Sequence, residues 1–216
     1  KRTPGDNYGY IALKDFVEDP EANPLETASG KLEIYSQTLA DTFSAMGWDT
    51  VTPIPTYAKV TNGYEDASAE GAEYPLQVMN PHYLRRAHSV FDNIGWLREA
   101  WANPVFISSA DADATGVIDG DTVLVSSPYG QCVRNACVYA GLMPGVVALP
   151  HGAWVAVDEA TGIDMAGADN YLTGPAPNGQ GTSGYNSALC KIEKYTGEAL
   201  GADVDQPLRI VCKDGE

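Results

Sequence analysis

Cysteine, histidine and positive charge are all scarce in this sequence: four cysteines, three histidines, and 13 lysines and arginines against 29 aspartates and glutamates in 216 residues. Cys132, Cys137, Cys190 and Cys212 lack the close pairs that zinc or iron-sulfur ligation uses, which argues against a cluster on this chain. They read as small apolar residues buried in strands, with a disulfide left open. A net charge of -16 excludes nucleic acid or an anionic membrane surface as the main partner, because either would need a basic face. No apolar run approaches the length of a membrane span, so no direct membrane insertion is expected. The N-terminal residues contain no apolar signal core and report no compartment. Dinucleotide-fold glycines, a phosphate-cradling Walker loop and a Gly-x-Ser-x-Gly elbow are also missing.

What is present suffices for a globular core, since 44% of the residues are hydrophobic. Residues 1–30 are rich in Pro, Gly, Asp and Asn and read as an extended arm. The alternation of Lys31 to Tyr35 predicts a strand with Leu32 and Ile34 on one face. A helix is expected from Gln37 to Met46, ended by Gly47, and 50–74 reads as connection and surface loop. From Pro75 the pattern changes to short β-rich runs. Six strands are predicted at Leu76–Met79, Val105–Ser108, Thr122–Ser126, Gln131–Tyr139, Val146–Leu149 and Ala188–Glu193. Pro128-Tyr129-Gly130 reads as a hairpin turn. Helices are expected across Ile94–Ala102 and from a capping Ser109 through Thr115, with Gly116 as the left-handed terminator. Many short strands with brief helices point to a compact, mainly β barrel.

All three histidines fall in two segments, Asn80-Pro81-His82 through His88-Ser89 and Leu149-Pro150-His151-Gly152, and this clustering points to one ligand site. Arg85 and Arg86 lie between the first pair and read as cationic donors in an otherwise acidic protein. Asp92 and Asn93 are expected to open the following helix, whose free N–H groups would suit a polar heteroaromatic or anionic ligand. The bland alternative is a polar loop whose histidines satisfy local carbonyls. A third segment runs from Asp169-Asn170 through a Gly/Pro-rich loop to Tyr185-Asn186; carboxamides there can read the edge of a pterin or purine ring. His82 and His88 do not have a usual zinc spacing. Ser89, adjacent to His88, is poorly placed to be its nucleophile.

The order Thr27-Ala28-Ser29-Gly30-Lys31-Leu32-Glu33-Ile34-Tyr35, then Asn80-Pro81-His82 through His88-Ser89-x-Phe91-Asp92-Asn93, then Gly116-Val117-x-Asp119-Gly120-Asp121, then Gly145 to Trp154, then Asn170-x-Leu172-Thr173 and Asn186-Ser187 resembles the C-terminal part of molybdopterin oxidoreductases of the dimethyl sulfoxide reductase family. The resemblance implies a double-psi β-barrel with short helices and an extended N-terminal arm. It divides the chain into an arm and connection (1–74), a molybdopterin-dinucleotide-binding barrel (75–196) and a tail (197–216). The barrel would help hold bis(molybdopterin guanine dinucleotide), with molybdenum or tungsten, through His82, His88, Ser89, Asn170, Tyr185 and Asn186. His151 is a lesser candidate within an architectural run. The metal ligand, and an iron-sulfur cluster where the family has one, would lie in upstream domains of the same subunit. This chain alone would then be a non-catalytic part of an oxidoreductase serving anaerobic respiration and electron transfer. An iron-sulfur electron-transfer subunit and a location on the cell-envelope or periplasmic side are further implications. The competing reading is a stand-alone double-psi barrel used as a protein-interaction adaptor, which would have no use for converging His82, His88, Asn170 and Asn186.

Overall fold

In each of six short runs apolar residues recur at every second position, and the structure pairs all six into one sheet that closes on itself. In this computed structural model the described residues are 9, 11–48, 52–175 and 186–209. The strands are β1 (Leu76–Met79), β2 (Val105–Ile107), β3 (Thr122–Ser126), β4 (Gln131–Val138), β5 (Val146–Ala148) and β6 (Ala188–Lys194). Their order round the closed barrel is β1-β5-β2-β4-β3-β6. β1/β5 and β2/β4 are parallel and the remaining pairs antiparallel. Closure leaves no strand edge exposed. All six strands expected from Pro75 onward are present, with ends differing by at most one residue, and the mainly β barrel is confirmed.

The inward positions form the core: Leu76 and Val78, Val105 and Ile107, Val123 and Val125, Val147 and Leu149, and Ala188 and Ile192, joined by Cys132 and Cys190. Burial pushes the Cys132 thiol up to about 12 and raises Cys190 as well, so both remain neutral, apolar core residues. Cys137 is half-buried on β4; Cys212 lies outside the described residues.

Two compact units divide the chain, 1–58 and 59–216. In the first, helix α1 (Lys14–Glu18) occupies part of the expected arm, and α2 (Gln37–Met46) matches its expected bounds. Ser36 caps α2 by accepting from the Leu39 N–H, and Gly47 ends it at φ 70°. The expected strand at 31–35 does not form. Leu32 and Ile34 are 71% and 73% exposed, because no other strand among the described residues pairs with this run. In the second unit, a short helix, α3 (Tyr64–Ala67), interrupts the expected loop. Helix α4 spans Gly95–Ala100, shorter than expected at both ends, and α5 spans Ser109–Thr115. The cap of α5 is Ser108, not Ser109: its hydroxyl accepts from the Asp111 N–H. Gly116 ends that helix at φ 71°.

Candidate functional site

Strand direction brings the site together. Because β1 and β5 are parallel, with Met79 opposite Ala148, the chains leaving them emerge at the same end of the barrel. Their pairing continues past the strands, with Leu149 N–H donating to Met79 O and His151 N–H to Pro81 O. β6 is antiparallel to β1, with Ala188 opposite Val78, so the residues just before β6 reach that same end. A 3-10 turn at Asp169–Leu172 completes the group. Asn80, His82, His151, Asp169, Asn170, Thr173 and Asn186 consequently line one cavity of about 540 Å³. A second cavity, of about 330 Å³, adjoins it through Asn80 and Asn186 and runs along Gln77, Met79 and Val146. Sharing Asn80 and Asn186, the cavities form one cleft.

The three imidazoles meet in this region. Ring centroids lie 5.0 Å apart for His82 and His88, 6.0 Å for His82 and His151, and 5.5 Å for His88 and His151. Among the described residues no set of three His, Cys, Asp or Glu side chains is arranged to hold a metal ion. Asp169, nearly fully buried, ties three of the converging segments to one carboxylate. Its Oδ2 pairs with His151 Nδ1 at 2.9 Å and accepts from Asn80 Nδ2 at 3.2 Å, and its Oδ1 accepts from the Gly152 N–H at 3.0 Å. Gly152 has φ 93°, and a Cβ there would collide with the His88 carbonyl, so only glycine lets the two histidine loops approach this closely. The Trp154 indole N–H donates to the Ser89 carbonyl at 2.7 Å, a second clamp between them. His88 and Phe91 both hold positive φ, 53° and 79°.

Arg85 and Arg86 do not face this cleft. Both are buried, at 1% and 7% exposure. Arg85 binds Asp92 and Asp203, and Arg86 binds Asp92 and the Asn103 carboxamide. Arg98 and Arg209 join through Asp203, so four guanidiniums surround two carboxylates. Asp92 does not open a helix as expected: α4 begins at Gly95, and the Asp92 carboxylate accepts instead from Arg85, Arg86 and the Trp154 N–H. Burial pushes the Asp92 carboxyl up, but Arg86, the Trp154 N–H and Arg85 together outweigh it and hold the group below its ordinary value.

Arg134, buried on β4, was not singled out from sequence. It donates only to backbone carbonyls, those of Gly167, Pro104 and Pro150. It thereby fixes the segments that lead into Asp169 and His151. Asp164, fully buried, supports the same stretch by accepting from the N–H groups of Ala156, Ala166 and Ala168.

Of the residues proposed from sequence, His82, Asn170 and Asn186 share the cavity and His88 stands beside them. Ser89 is exposed, and it is its carbonyl that the fold uses. Tyr185 lies outside the described residues. His151 belongs with the cluster, and Asn80 and Asp169 were missed as members of the cavity although both stand next to motif residues.

Residues 76–189 match the family model described as the molydopterin dinucleotide binding domain. The chain is 39% identical over 190 residues to the dimethyl sulfoxide reductase DmsA of Escherichia coli, covering 86% of this chain and 23% of that protein. It is 35% identical over 205 residues to the dimethyl sulfoxide/trimethylamine N-oxide reductase of Cereibacter sphaeroides, covering 90% of this chain and 24% of that protein. It thus spans about a quarter of the length of these relatives, whose other parts lie outside its span. Among solved structures, acetylene hydratase from Pelobacter acetylenicus superposes with a TM-score of 0.58 at 23% identity, over 82% of this chain and 25% of that one, a likeness of fold.

Proposed function

Because the chain belongs to the molydopterin dinucleotide binding domain family, we propose that the cleft at the β1/β5 end of the barrel holds part of a molybdopterin guanine dinucleotide in an oxidoreductase of the dimethyl sulfoxide reductase type. The observation that carries this reading is the convergence of His82, His151, Asn170 and Asn186 on one cavity from segments far apart in sequence. The residues fit such a ligand. Carboxamides and imidazoles can both donate and accept, which suits the edge of a fused nitrogen ring. His82, His88, Ser89, Asn170, Tyr185 and Asn186 are its proposed contacts. When bound, the cofactor supplies the oxygen-atom or electron transfer; this chain's residues supply placement, hydrogen bonds and exclusion of water. The barrel, 75–196, is the binding unit, and 1–74 connects it to domains that carry the molybdenum or tungsten ligand. An iron-sulfur subunit is the proposed electron-transfer partner. An adaptor barrel would leave the converging polar side chains without a use.

The test is nucleotide content. The full-length subunit produced with molybdate is hydrolysed in acid and the released guanosine monophosphate is measured, for wild type and for His82→Ala and Asn186→Ala. The reading expects guanosine monophosphate in the wild type and a clear loss in both variants. Wild-type protein without it contradicts the reading.

A further inference from the structure

The Asp169 carboxylate has more to do than satisfy backbone. An ionised carboxylate is an acceptor only, and this one already takes the Gly152 N–H, a group that can only donate, and the Asn80 amide. Its contact with His151 Nδ1 at 2.9 Å therefore places the ring proton on Nδ1. No other hydrogen bond engages the His151 ring among the described residues, and the ring lines the cavity. In the neutral imidazole, Nε2 is then a lone-pair acceptor.

We propose that Asp169 is a positioning residue of the cleft: it fixes the tautomer of His151 so that Nε2 accepts a hydrogen bond from a ring N–H of the bound ligand. This rests on the functional reading above and makes it more specific, because the part of the ligand that meets His151 must be a heterocycle edge bearing N–H donors, as pterin and guanine edges do. Backbone clamps hold both members of the pair in place. Arg134 pins Pro150 and Gly167, the residues flanking His151 and leading into Asp169, while Gly152 presses its loop onto the His88 carbonyl. His82 and His88 make no such carboxylate contact among the described residues, so the tautomer is imposed at His151 and not on its neighbours.

The experiment is nitrogen NMR of protein labelled with 15N-histidine, the His151 signals being assigned with His82→Gln and His88→Gln. Wild type is expected to show a protonated Nδ1 and an unprotonated Nε2; the opposite tautomer overturns the proposal whatever the protein binds. Asp169→Asn, whose amide can donate to Nδ1, is expected to shift the ring toward the Nε2–H form and to weaken dinucleotide retention about tenfold, the scale of one lost buried hydrogen bond. Asp164→Asn serves as control, since Asp164 organises the same segment without touching a histidine; its His151 signals should stay as in wild type. An unchanged tautomer with full nucleotide content in Asp169→Asn overturns the proposal. A wild type with the Nδ1–H tautomer but no nucleotide overturns the functional reading and leaves the positioning by Asp169 intact.

Discussion

One stretch of chain, Asn80 to Asn93, builds two regions of opposite character. His82, His88 and Ser89 are exposed beside a polar cleft, while Arg85, Arg86 and Asp92 are buried in a cluster whose charges meet partners as distant in sequence as Asp203 and Arg209. The four guanidiniums of the cluster outnumber its two carboxylates, but they are buried and bond Asp92, Asp203 and neighbouring carbonyl groups, and none lines the cleft. The cluster's work is to hold the loop: Asp92 binds two arginines of that loop and the Trp154 N–H of the other histidine segment. A buried ion pair adds little over apolar packing, yet removing one partner is expensive because the other charge is stranded. The histidines are the reverse case: His82 and His88 are exposed, so they are expected to matter little to the fold, and their proposed work is in the cleft.

Asp92→Ala should show the largest effect. It strands the buried Arg86 guanidinium and takes from Arg85 one of its two carboxylates, and is expected to cost about 3–5 kcal/mol, measured by denaturant unfolding; a loss under about 1 kcal/mol would mean the cluster is not what anchors the loop. Gly152→Ala comes next, since a side chain at φ 93° must also move the His88 carbonyl. A loss of roughly 1–3 kcal/mol, with displaced His88 resonances, is expected. A wild-type spectrum would remove the close approach from the explanation.

Acid sharpens the contrast. The Asp92 carboxyl is held below the ordinary value of 3.8 in the folded protein. Its contribution to stability is therefore fully present above that pH and is lost as pH falls through the lower folded value. Unfolding midpoints measured downward from pH 5 should drop most steeply below about pH 4. Asp92→Asn, where it folds, should flatten that part of the profile. The smallest effect on stability is expected for His82→Ala and His88→Ala, under about 0.5 kcal/mol each because both side chains are exposed. A large fall in melting temperature would make these histidines structural.

Much of the barrel was legible because each strand carries its own signal, apolar alternation bounded by turn residues, as in Leu76–Met79 or the hairpin around Pro128-Tyr129-Gly130. The same signal misled at Leu32 and Ile34: alternation marks a face but does not supply the neighbouring strand that would cover it. The three histidines read as clustered in sequence do meet in the fold, and Asn170 and Asn186 of the family motifs line the cavity with His82 and His151. The role of Arg85 and Arg86 was misread because a sequence displays charge without its burial, and Asp203 lies 118 residues from Arg85. Asp169 escaped notice for a similar reason: its partners Asn80 and His151 are 89 and 18 residues away, and only the parallel pairing of β1 with β5 brings them together.

The comparison is decided most directly by locating the dinucleotide in a structure of the cofactor-loaded enzyme. The expected result is a pterin or guanine ring within hydrogen-bond distance of His82, His151, Asn170 or Asn186, with the arginine cluster unchanged. A dinucleotide seated instead in the cavity beside Arg98, Asn103 and Asp203, with the histidines facing solvent, would contradict it.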